Sequence, residues 1–158
     1  MLARARSRRR LYLVGIILAL LVFLVISAVL ARVLSIDGTE RTAITLLVKD
    51  EAAGDQSAMT SRITGCAGNA ACRARVATDA ARLRRSGAIS ILQLQPSAGF
   101  SLTSTVGTAR VAWRAGSSLP VVQCVRVRRA GDALTGFHVE LLRLSRRIAS
   151  DSNCPRHY

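Results

Sequence analysis

Residues 11–31 read LYLVGIILALLVFLVISAVLA, 21 consecutive positions without a charge. A helix of that length rises about 30 Å, the thickness of a bilayer's hydrocarbon core. A buried helix of a soluble protein carries a polar stripe, and none runs through this stretch. The reading is therefore a transmembrane helix over residues 11–33, with Tyr12 at its edge, where an amphipathic ring sits comfortably.

Working outward from this segment, charge sets its expected direction. Arg4, Arg6, Arg8, Arg9 and Arg10 precede it, whereas Arg32 and Arg41 follow it with Asp37 and Glu40 close by. Basic residues stay on the cytoplasmic side, so residues 1–10 are expected inside as a basic leader held on the anionic inner leaflet, and the chain beyond Arg32 outside. A cleaved signal peptide is the competing reading. Its apolar core is usually about 7–15 residues, shorter than this one. Val29-Leu30-Ala31 makes a poor cleavage site, and Ser7-Arg8-Arg9-Arg10-Leu11 only weakly resembles a twin-arginine signal. The uncleaved anchor fits better.

The expected order is a juxtamembrane linker at 34–38, an outer domain over 39–149, and a polar tail over 150–158. All four cysteines, Cys66, Cys72, Cys124 and Cys154, fall on the outer side. An even number in an oxidising compartment suggests disulfides. Four cysteines allow three connectivities, and proximity favours Cys66–Cys72 with Cys124–Cys154, the second clipping the tail to a strand. A zinc site would need closely spaced cysteine pairs, which are absent, and His138 and His157 do not complete a set. No metal or cofactor is expected.

Along the outer domain the period changes once. Thr39 to about Ala53 carries Ile44, Leu47 and Val48 at helical spacing, with Glu40 in its first turn. Gly54 breaks it. Asp55 can cap a second helix carrying Met59 and Ile63, and Asn69 a third reaching about Arg85, with Cys72, Val76, Ala80 and Leu83 on one side. After Gly87 the alternation becomes two. Strands are expected at 89–95, 100–106, 108–114, 121–129 and 136–144, with breaks at Pro96 and Gly107 and a hairpin turn at 130–133. Ala109, Val111, Trp113, Val121, Val125, Val127, Phe137, Val139 and Leu141 make one apolar face, whereas Arg110, Arg114, Arg126 and Arg128 face water. Helices followed by a strand run indicate an α+β domain, two or three helices on a curved antiparallel sheet of four to five strands.

This order, with Val106-Gly107-Thr108-Ala109-Arg110-Val111 and the hairpin from Val121 to Leu144 across Gly131-Asp132, resembles the nuclear transport factor 2-like superfamily in its membrane-anchored actinobacterial type. The resemblance covers Thr39 to Leu144 and implies helices wrapped by a sheet into a cone. Enzymes of that superfamily place carboxylates or a histidine inside the cone. The inward face read here offers none, and Asp79 stands one step off the apolar stripe of its helix, so dehydratase or isomerase chemistry is not carried over.

Composition narrows the function classes. The chain has 158 residues, half of them apolar and 4% aromatic, with a net charge of +14. That apolar fraction excludes wholesale disorder. Six of the 23 basic residues lie in the leader and at Arg32, leaving 17 against 9 acidic, or +8, for the outer part. Without aromatic platforms or a recognised motif, nucleic acid is not an expected partner. His138 and Glu140, two apart on one strand face, read as a solvated pair and not as an acid–base couple. The expected role is a binding or assembly module, with the lipid bilayer and an envelope protein or a second copy as partners. Two alternatives remain: a small-molecule-binding or enzymatic cone of the same fold, and a basic surface (Arg110, Arg114, Arg126, Arg128) that meets anionic envelope polymer or lipid.

Overall fold

The computed structural model describes residues 2–97, 104–132 and 136–155. Three helices, α1 (Leu2–Ala53), α2 (Gln56–Arg62) and α3 (Ala70–Leu83), precede four strands, β1 (Ile89–Gln95), β2 (Thr105–Ala115), β3 (Val121–Asp132) and β4 (Gly136–Leu144). The strands form one open antiparallel sheet in the order β1-β2-β3-β4. By its contacts the chain divides into two units, Met1–Ser35 and Ile36–Tyr158.

The first unit is helical from Leu2 onward. No protein surface covers its apolar run: Tyr12 is 74% exposed, Phe23 64% and Leu30 57%. The helix is long and apolar enough to cross a membrane.

Residues 34–38, the expected linker, are helical and continuous with α1. Gly38 is the only poor helix former among them, and one glycine costs only about 1 kcal/mol. The Thr42 hydroxyl donates to the Gly38 carbonyl at 2.9 Å. Asp37 and Glu40 are both held by the Arg129 guanidinium, which fixes the turn on either side of the glycine.

In the second unit the core is a single cluster. Ile44, Leu47, Val48 and Ala52 recur at helical spacing on α1, and all are buried against the strand face carrying Val111, Trp113, Val125 and Val127. Met59 on α2, Ile63 just after it, and Val76, Ala80 and Leu83 on α3 complete the cluster. The expected caps are in place. The Asp55 side chain accepts from Ala58 N at 2.9 Å, and the Asn69 side chain from Cys72 N at 3.0 Å. Gly54 ends α1 with φ +74°, where a Cβ would also come within 3.3 Å of the Ala80 carbonyl.

Two strand boundaries differ from expectation. Gly107 is no break: β2 runs through it, paired at Thr105↔Arg129, Gly107↔Val127 and Thr108↔Arg126. The long partner β3 supplies continuous hydrogen bonding on both sides, so the glycine weakens the strand without ending it. There are accordingly four strands among the described residues, and the start of the expected strand at residues 100–103 lies outside them. Ala130, Gly131 and Asp132 extend β3, leaving the β3–β4 turn to residues outside those described.

The disulfides are Cys66–Cys72 and Cys124–Cys154, with Cα–Cα distances of 5.3 and 5.8 Å. The second draws the segment after β4 across the sheet's other face. There Ile148 N donates to Val122 O at 2.8 Å, and Ala112, Val122 and Cys124 become buried. That half of the face expected to be solvated is covered.

Candidate functional site

Three places in the second unit gather polar or charged chemistry. The first is the basic strand face, whose four arginines do not act as one free patch. Arg110 is engaged by the Ser150 carbonyl and, at 3.4 Å, by Gln93. Arg128 pairs with Glu140 at 3.0 Å. Arg126 is half-buried and stands opposite Arg143 in the β3–β4 register, whereas Arg114 is exposed at the far end of β2 beside Ser90. His138, 62% exposed at its side chain, lies 3.5 Å from Glu140, whose other oxygen already serves Arg128. The leader residues Arg4, Arg6, Arg8, Arg9 and Arg10 are helical, but their side chains are not among those described.

The second place is inside the core, on positions an apolar reading passes over. Gln123 projects from β3 with Val121 and Val125, and it is fully buried. Its Oε1 accepts from Trp113 Nε1 at 3.0 Å, and its Nε2 donates to Glu51 Oε1 at 2.8 Å and to the Ser145 carbonyl at 3.3 Å. Glu51 is also fully buried, and its Oε2 has no hydrogen-bond partner. Burial pushes the Glu51 pKa up from 4.5 to about 8; the Gln123 bond opposes this and the nearby Asp79 charge adds to it.

Asp79, expected one step off the apolar stripe of α3, is instead 4% exposed with Oδ2 unpaired. Burial raises its pKa, against the opposing pull of Arg75, Arg146 and Arg82. Glu40 is different in kind. Its buried carboxylate accepts from Ser97 N (2.7 Å), Ser97 Oγ (2.9 Å) and Arg129 Nε (2.8 Å), so it is saturated and serves as a structural tie between α1, β3 and the chain after β1.

The third place is an open cleft of about 300 Å³ between the α2–α3 connection and the end of β4. Its walls are the Cys66–Cys72 disulfide, Arg75 and Val76 of α3, and three successive residues of β4, Leu142, Arg143 and Leu144. A regular strand turns alternate residues to opposite faces. Here Arg126 pairs with Arg143 but Val127 with Leu141, so Leu142 is an extra residue, a β-bulge on the sheet's outer strand. Upstream of the bulge, Thr64 N donates to Leu141 O at 2.8 Å and pins the α2–α3 connection to the strand, which leaves the cleft just beyond. A second cleft, about 470 Å³, lies between Leu119-Pro120 and the segment around Ile148. Neither cleft is lined by Glu51, Asp79 or His138.

Among the described residues no group of three or more His, Cys, Asp or Glu side chains is placed to hold a metal. Neither family models, nor curated proteins, nor solved structures match the chain.

Proposed function

We propose that the protein is a single-pass membrane-anchored module, its amino terminus in the cytoplasm and its α+β domain outside, which binds or assembles with an envelope component and carries out no catalysis of its own. One observation carries this reading: α1 contains an apolar stretch that the fold leaves uncovered, in a chain whose four cysteines are all disulfide-bonded. Lipid is the medium that makes such a helix stable, and an oxidising compartment is where such bridges persist. The leader arginines support the direction of insertion. The absence of catalysis is supported by the burial of Glu51 and Asp79 away from both clefts and by the exposure of His138 in a pair with Glu140. A general base needs substrate within hydrogen-bond reach. The helices-then-meander order also supports the resemblance to nuclear transport factor 2-like domains.

The test is protease added to wall-stripped cells. Digestion of the carboxyl-terminal domain in intact cells, with the leader protected until detergent is added, is the expected result. A domain that survives until the membrane is opened overturns the topology.

A further inference from the structure

We propose that the cleft beside the Cys66–Cys72 disulfide is a binding site for a small organic anion, a carboxylate or phosphate carried on an apolar body. The proposal gives the binding role above a ligand class and rests on that reading for its biological sense. The binding itself is measurable whichever way the chain crosses the membrane.

The chemistry of the walls selects the ligand. The disulfide, Val76, Leu142 and Leu144 provide an apolar surface, and two guanidiniums, Arg75 and Arg143, line the same space. Among the described residues no acidic side chain lines it. Asp79 sits one turn along α3 from Arg75 and is buried. Arginine presents a planar fork that pairs bidentately with carboxylate or phosphate. A volume of about 300 Å³ lies at the small end of ligand sites, which excludes polymers and large lipids as complete occupants.

The site is also constructed. The bulge at Leu142 brings three successive β4 residues to the cleft, the hydrogen bond from Thr64 to Leu141 fixes its upper end, and the disulfide closes the turn from Cys66 to Cys72 that forms its wall. Bulges recur beside binding sites because they re-aim side chains. Here the device serves a cleft that the core does not fill.

The experiment uses the full chain in nanodiscs, with empty nanodiscs as the blank. Calorimetric titration with 4-phenylbutyrate and phenethyl phosphate is compared with the neutral 4-phenylbutanol and with bare acetate and inorganic phosphate. Saturable binding of at least one apolar anion, at least tenfold tighter than the alcohol and the bare ions, is expected. The preferred headgroup identifies the source class.

Arg75→Gln and Arg143→Gln should each weaken binding tenfold or more, while Arg114→Gln, on the exposed end of β2, should leave it unchanged. Because Arg75 also faces Asp79, its variant could misfold. A photoactivatable 4-phenylbutyrate on the unaltered protein therefore provides the second readout, with label expected in peptides containing Cys72–Val76 or Leu142–Leu144. Equal binding of acid and alcohol, wild-type affinity in both arginine variants, label elsewhere, or no saturation at 10 mM each overturns the proposal. Protease protection of the outer domain with binding intact would sink the topology and keep the cleft; the reverse result would do the opposite.

Discussion

Glu51 carries the sharpest single-residue consequence of this fold. Its folded-state pKa, raised by burial to about 8 from an ordinary 4.5, means that the folded protein holds a proton the unfolded chain has released across that interval. Stability from this group is fully present below pH 4.5 and is lost as pH rises toward 8, at about 1.4 kcal/mol per pH unit where the two states differ by a whole proton. Asp79, also raised, acts in the same direction. Glu51→Gln keeps an oxygen for Gln123 and removes the ionisation. The variant should match the parent near pH 5, exceed it in melting temperature by pH 8, and retain a shallower slope from Asp79. Trp113, the only tryptophan and bonded to Gln123, reports the transition by fluorescence.

The positions of these groups were legible in the sequence, although their burial was not read from it. Glu40, Ile44, Leu47, Val48 and Glu51 share one α1 stripe, Val76 and Asp79 share another on α3, and Gln123 alternates with Val121 and Val125. Periodicity assigns the face. A list of apolar residues alone passes over the polar members of that face, because their burial depends on partners such as Ser97, Arg129 and Trp113 that lie 10 to 89 positions away.

At the scale of elements, the cap and disulfide chemistry was the readable part. Asp55 and Asn69 announce α2 and α3, and proximity favoured the pairing observed. Gly38 and Gly107 misled in opposite kinds of element for one reason: a glycine is weakened punctuation when flanking residues are held by distant partners, Arg129 for α1 and β3 for β2. The bulge at Leu142 left no sequence signature, since it depends on the register between β3 and β4.

The two bridges should differ in worth. Cys66–Cys72 closes a loop of separation 6, and Cys124–Cys154 one of 30. Loop-closure entropy assigns about 2 kcal/mol to the first and about 3–4 kcal/mol to the second. Cys124→Ala with Cys154→Ala should also loosen the segment that buries Val122, so denaturant unfolding followed through Trp113 is expected to show the larger loss in that double variant. An equal or smaller loss than in Cys66→Ala with Cys72→Ala would mean that the pairing of Ile148 with Val122 holds the segment without its bridge.

At the scale of the whole molecule, the two units treat their apolar residues differently. The first exposes apolar side chains along its whole described length, whereas the second buries its apolar residues in one cluster and carries all nine acidic residues of the chain. Its core draws on α1 from Ala43 onward, and Asp37 and Glu40 tie α1 to Arg129. The residues that expose apolar surface are thus separate from those that build the core. A chain starting at Ile36 should therefore remain in the aqueous phase, form both disulfides under oxidising conditions and unfold in one cooperative transition. The full chain should require detergent and resist extraction from membranes by alkaline carbonate. If the shortened chain aggregates or unfolds without a cooperative transition even with both bridges formed, the core depends on residues before Ile36, and the boundary between the two units must move toward the amino terminus.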